Sequence, residues 1–132
     1  ADLLISGAGN DMLIGGNGAD FFGFDTGAVF TAADHGTNQI HGFEAIDSIL
    51  LDVTVFAALT SAVGGALSAS EFAVVNSIEE AAMSDATIVY GASTGNLYYN
   101  PNGAEGGFGS GAQFATIEGA PTLDANSFVI QA

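Results

Sequence analysis

The chain has 132 residues, 15 of them acidic, two histidines and no lysine, arginine or cysteine, for a formal net charge of −15. Phosphate neutralisation needs Lys or Arg, so nucleic-acid binding is excluded and attachment to anionic lipid is disfavoured. Disulfides and thiolate metal sites are excluded as well, and side-chain ion pairs can form only through His35, His41 or the amino terminus. Such acidity often accompanies disorder, but 48% of the residues are apolar, enough to offset the ordering entropy of one domain with a modest core. A divalent cation is the natural relief for the self-repulsion.

The chain opens on a period of nine. Ser6-Gly7-Ala8-Gly9-Asn10-Asp11-Met12-Leu13-Ile14 aligns without gaps on Gly15-Gly16-Asn17-Gly18-Ala19-Asp20-Phe21-Phe22-Gly23, and Asp2-Leu3-Leu4-Ile5 matches the end of a further unit. Asp therefore recurs at Asp2, Asp11 and Asp20, and a large apolar residue at Leu4, Leu13 and Phe22. Nine is neither a helical nor an alternating period, so a repeating turn-plus-strand unit must explain it. Glycine permits positive φ and a sharp six-residue turn with inward carbonyls; three residues then form a short strand with its middle side chain in a core. Two units make one coil, so stacked coils give two parallel sheets and bring acids from alternate units face to face. Stacked carboxylates and carbonyls with no counter-charge form an all-oxygen cage, which calcium prefers.

These nonapeptides resemble the G-G-x-G-x-D-x-U-x calcium-binding repeat of the RTX proteins. The resemblance implies one half-site from Gly7, Gly9 and Asp11. It implies the far half of another from Gly15, Asn17, Gly18 and Asp20, beneath Asp2, and a further near half from Gly16, Gly18 and Asp20. The repeat region is expected to be largely unfolded without Ca2+, because binding and folding energy are shared there. Repeat stacks need roughly three or more units, so two and a half units suggest a fragment of a longer protein.

Beyond Phe24 the period breaks into an excursion from Asp25, with a loop over Ala28 to Asn38. Strands resume at Gln39 to Phe43 and Ser48 to Leu51, with Ile40, Ile49 and Leu51 facing the core. The segment resembles the end of an RTX roll, D-x-I-x-D-F then D-x-I-x-L, with Asn38 and Gly42 in place of the two acids of the first motif. Asp25 and Asp47 are further metal candidates by that likeness, whereas the residues alone favour Asp47 and Asp52 as solvated strand ends. Val53 to Val63 reads as a short helix, Ser68 to Phe72 as an N-cap and one helical turn, and Glu79 to Met83 as a brief turn bearing the pair Glu79-Glu80. The uncharged run Val53 to Ser70 carries too many Ser, Thr and Gly residues for a membrane span.

The last third is rich in hairpins: a strand Thr87 to Tyr90, a turn Gly91 to Gly95, a return strand Asn96 to Asn100, and a turn at Pro101-Asn102-Gly103. A flexible glycine loop Glu105 to Gly111 follows, then strands Gln113 to Glu118 and Ser127 to Gln131. Of Tyr98 and Tyr99, one ring is expected in the core and one exposed. This region resembles the carboxy-terminal part of RTX proteins at Tyr90, Thr94-Gly95, Leu97, Tyr99, Gly103, Phe114-Ala115, Ile117, Gly119, Phe128 and Ile130, with Gly91, Asn100, Asn102 and Ser127 replacing the usual acids.

Gly91-Ala92-Ser93-Thr94-Gly95 fits the hydrolase pattern G-x-S-x-G, but no helix pattern follows it and both histidines lie upstream, so it reads as a hairpin turn and no enzyme is expected. His35 and His41 read as loop and strand-surface residues.

The expected fold is all-β: the last coils of a parallel β-roll over 1–52, packed as one unit with a β-rich capping region with short helices over 53–132. The resemblance implies a calcium-binding, secreted, extracellular or cell-surface domain, exported by type I secretion machinery that reads a tail such as Ser127-Phe128-Val129-Ile130. Extracellular calcium modules work at about 0.1 to 1 mM. The alternative is a calcium-dependent adhesin or S-layer-type assembly module, with self-association.

Overall fold

A computed structural model describes residues 3–6, 9–24, 37–44, 46–53, 55, 56, 59, 64–68, 71–76, 79, 80, 84, 86–101, 113–119 and 123–131. They are mostly strand, in two sheets: β1 Leu3–Ser6, β2 Met12–Ile14, β3 Phe21–Phe24, β4 Asn38–His41, β5 Ser48–Asp52, β6 Phe72–Val75, β7 Ile88–Gly91, β8 Asn96–Tyr99, β9 Gln113–Ile117 and β10 Phe128–Gln131.

The first five strands alternate between the sheets. One sheet has the order β1-β3-β5-β10 and the other β2-β4-β9-β8-β7-β6. The alternation follows from the repeat: three or four extended residues are too few to fold back on themselves, and each glycine turn hands the chain to the opposite sheet. Every pair in the first sheet is parallel. The second sheet is mixed, parallel at β2–β4, β4–β9 and β6–β7 and antiparallel through β8. Leu3 pairs with Phe21, two units along, so Leu4, Phe22 and Ile49 stand in one row.

The middle side chain of each repeat strand enters the core between the sheets. Leu13, Phe22, Ile40 and Ile49 are all buried there with Phe24, Leu51, Phe56, Ile88, Tyr90, Leu97, Tyr99, Phe114, Ile117, Phe128 and Ile130. Burying each such side chain contributes roughly 1.5 to 3 kcal/mol. Phe56 anchors the centre, with its ring 5.1 Å from Tyr99 (84°) and 5.0 Å from Phe114; Phe24 meets Phe114 edge-on at 5.3 Å. Both sheets draw strands from either side of residue 52: β9 pairs with β4, and β10 with β5.

Several expectations are corrected. Tyr98 and Tyr99 are both buried. Alternation sends them to opposite faces, but Tyr98 lands in a small outer cluster with Val75, Ala86 and Val89. Asp47 and Asp52 are buried too, at 3% and 6% exposure, not solvated. Asp52 ends β5, and its carbonyl accepts the N–H groups of Val55 and Phe56. Glu71 N–H donates to the Ser68 carbonyl, but Phe72 begins β6, a strand where the sequence predicts a helical turn; residues 69 and 70 lie outside the described residues. The rest of the helix expected over Val53 to Val63 lies largely outside the described residues, as do the loops at 25–36 and 102–112 and most of the turn at Glu79 to Met83. Among the described residues no helix is long and apolar enough to cross a membrane; Val55, Phe56, Leu59 and Leu67 from the uncharged run are buried in the core.

Candidate metal centre

The glycines of the repeat adopt the backbone that its turns demand. Gly9, Gly16 and Gly18 have φ of 93°, 82° and 92°, a region costly for residues with a Cβ. They occupy the second and fourth places of their units. Gly42, at φ 73°, stands over the Gly15–Asp20 turn: a Cβ there would lie 3.4 Å from Gly16 N. The left-handed backbone and this close approach account for glycine where the resembling motif carries an acid.

The acids hold a ladder. Asp11 N–H donates to Asn38 Oδ1 at 2.9 Å, and Asp20 N–H donates to Asp47 Oδ1 at 2.7 Å. Thr37 N–H donates to Asn10 Oδ1 at 2.8 Å. Each pair is 27 residues apart, three units of nine. Asn38 and Asp47 are therefore in phase with Asp2, Asp11 and Asp20, through a segment where the motif itself is lost. Main-chain bonds keep the same register: Gln39 N–H to the Asp11 carbonyl at 2.8 Å, Ser48 N–H to that of Asp20 at 3.0 Å, and Gly15 N–H to that of His41 at 3.1 Å.

Asp47 is fully engaged by the protein, since its Oδ2 accepts Glu44 N–H at 2.7 Å. Two main-chain donors compensate for burying its charge. Asn38 and Asn100 stand where the resembling motifs carry acids, and both use the amide. Asn38 accepts from Asp11 on one side and donates through Nδ2 to the Phe114 carbonyl, 3.3 Å away, on the other. Asn100 Nδ2 donates to the Ser84 carbonyl at 2.7 Å. A carboxylate is an acceptor alone and would face another acceptor at both places.

Gly9, Asp11, Gly15, Gly16, Asn17, Gly18 and Asp20 are thus placed along the two turn edges of the stack, Asp11 half-buried and Asp20 at 1% exposure. Asp2 and Gly7 lie outside the described residues, as do Asp25, His35 and Asn102. A Cβ at position 15 would stand 2.9 Å from Asp20 Oδ2 and 2.7 Å from the Phe22 ring, so glycine leaves room for the carboxylate to fold back over its own turn. The donor set on this edge is carboxylate, carboxamide and carbonyl oxygen, which suits a hard cation in kind. Among the described residues no three His, Cys, Asp or Glu side chains gather as a metal group. A cleft of about 310 Å³ opens between Phe43, Ile46, Asp47 and Ser48 on one side and Asp124, Asn126 and Ser127 on the other.

His41 closes the far end of β4. It pairs with Glu118 and has Gln39 Oε1 3.3 Å from its Nε2, so it is held by its strand neighbours. The segment Gly91 to Gly95 is a tight turn: Gly95 N–H donates to the Gly91 carbonyl at 2.8 Å, and Ser93 Oγ donates to the Asn76 carbonyl at 3.0 Å. Comparison of the chain with family models, curated proteins and solved structures finds no match.

Proposed function

We propose that this chain is the closing end of a calcium-stabilised parallel β-roll of the RTX type, a structural domain that folds outside the cell. One observation carries the reading: the ninefold phase of Asp11, Asp20, Asn38 and Asp47 is kept as direct coil-to-coil contacts 27 residues apart, on turns whose glycines have positive φ. Ca2+ would be held by Asp11 and Asp20, with Asp2, by the carbonyls of Gly7, Gly9, Gly15, Gly16 and Gly18, and by Asn17. It supplies the charge that a chain of net −15 lacks. Asn38 and Asp47 use protein donors and acceptors at the same places, so the metal-dependent coils would rest on a layer that needs no ion. Secretion by type I machinery belongs to the same reading.

A second reading, an adhesin or surface-layer module, is favoured by the exposed apolar side chains of Leu3, Ile5, Met12, Ile14 and Phe21 on the outer faces of the first strands. Light scattering that rises with calcium would support it, and a persistent monomer would remove it.

The decisive experiment is circular dichroism with calorimetry across a calcium titration. The β-signal should grow with calcium and weaken in Asp11→Ala and Asp20→Ala. A chain that folds equally well after thorough chelation and releases no heat on calcium addition would end the proposal.

A further inference from the structure

A second concave site lies away from the glycine turns, on the outer face of the mixed sheet. Asn76, Gly91, Ser93, Thr94, Asn96, Tyr98 and Gln113 enclose a cleft of about 260 Å³. Among the described residues its lining holds three carboxamides, two hydroxyls and one phenol, and no carboxylate. That is unusual ground on a chain with 15 acidic residues.

The polar groups are pinned in one directed chain. Gln113 Nε2 donates to Thr116 Oγ1 at 2.8 Å, Thr116 Oγ1 donates to Asn96 Oδ1 at 3.0 Å, and Asn96 Nδ2 donates to Tyr98 Oη at 3.2 Å. Thr94 Oγ1 meets Asn96 N–H at 3.4 Å, and Ser93 is tied to the Asn76 carbonyl. Gly91 keeps the floor open: a Cβ there would stand 3.1 Å from Thr94 Oγ1 and 3.8 Å from Tyr98 Cε2. Groups held in this way lose little freedom on binding.

The chemistry selects the ligand class by elimination. An anion meets no Lys or Arg anywhere in the chain and a strongly negative field. A metal cation finds no carboxylate among the described lining residues. A purely apolar ligand would strip the amides of water without replacing their hydrogen bonds. A neutral molecule with adjacent hydroxyls satisfies the carboxamides, which both donate and accept, above the floor that Gly91 keeps open. We infer that this cleft is a binding site for a neutral saccharide ring, separate from any metal.

The test is a titration of the full chain, in calcium-containing buffer, with the methyl glycosides of glucose, galactose and mannose, followed by amide NMR shifts. Galacturonate serves as the anionic control and glucosamine as the cationic one. At least one neutral glycoside should give saturable shifts confined to Ser93–Asn96 and Gln113. Affinity should fall about tenfold, the worth of one good hydrogen bond, in Gln113→Ala and in Asn76→Ala, with the remaining spectrum unchanged. Ser93→Ala, at an exposed turn, provides a further variant should either disturb the fold. The inference is overturned if no neutral glycoside saturates, if the shifts map elsewhere, if the folded variants bind as the parent does, or if a charged control binds more tightly.

Discussion

Asp20 and Asp47 stand one coil apart, and the main-chain N–H of the first donates to the side chain of the second at 2.7 Å. The two acids are in phase in the sequence but unlike in role. Asp47 spends both oxygens on N–H groups of the protein, whereas Asp20 belongs to the glycine turn proposed to hold calcium.

Removing the two carboxylates should therefore have different consequences. Asp47→Ala strands two main-chain donors and should cost about 2 to 4 kcal/mol, with the same loss in chelator and in calcium. Asp20→Ala should cost most of its stability only where calcium is present. At calcium about 100-fold above the dissociation constant, the parent gains roughly 2.7 kcal/mol per site that the variant forgoes. Urea unfolding of both variants, with and without calcium, measures the split.

Asn38 and Asn100 each donate to a main-chain carbonyl. Restoring the acid at either place, Asn38→Asp or Asn100→Asp, should destabilise by about 1 to 3 kcal/mol, because a buried acceptor is set against another. The loss should shrink as the pH is lowered towards the carboxyl range, where the variant side chain can again donate. Denaturant midpoints at neutral and mildly acidic pH report both effects.

Gly95 clips the β7–β8 hairpin to β9. Its φ is +81°, and a Cβ would fall 2.2 Å from the Ile117 carbonyl oxygen, while Ile117 N–H donates to the Gly95 carbonyl at 2.8 Å. Gly95→Ala should cost more than about 2 kcal/mol, the backbone penalty adding to the clash. Gly119→Ala, at a similar φ of +85° but with open space around it, should cost about 1 kcal/mol. Thermal unfolding of the pair separates strain from collision.

Tyr90 lies in the core, and burial raises the pKa of its phenol above 10.0. The unfolded chain ionises first, so the folded state holds more protons in that window. Stability should be flat below about pH 10 and fall as the pH climbs through the unfolded value towards the folded one. Tyr90→Phe should lose this component of alkaline unfolding, as followed by fluorescence or dichroism.

The strands of the repeat were legible because their period is local and their middle residues are large and apolar. The ladder was legible only in part. Its phase was present in Asn38 and Asp47, a whole number of units beyond Asp20, and counting by nines past the broken motif would have found it. Burial of Asp47 was hidden, since a charged residue reads as solvent-facing until its two N–H donors are known. Tyr98 defeated alternation because the mixed sheet is covered on both faces near β7 and β8. The mates of β9 and β10 could not be read at all: pairing choice is a property of distant chain, and a strand's own residues do not encode its neighbour.

That distance affects how the molecule is made. Asn38 waits for the carbonyl of a residue 76 positions later, and β5 waits for the final strand. Loop closure on this scale slows folding. Wherever it folds, β4 and β5 keep open edges until residues 113–131 dock. Copies caught at that stage, with bare strands and no finished partner, are the species most exposed to sticking to one another.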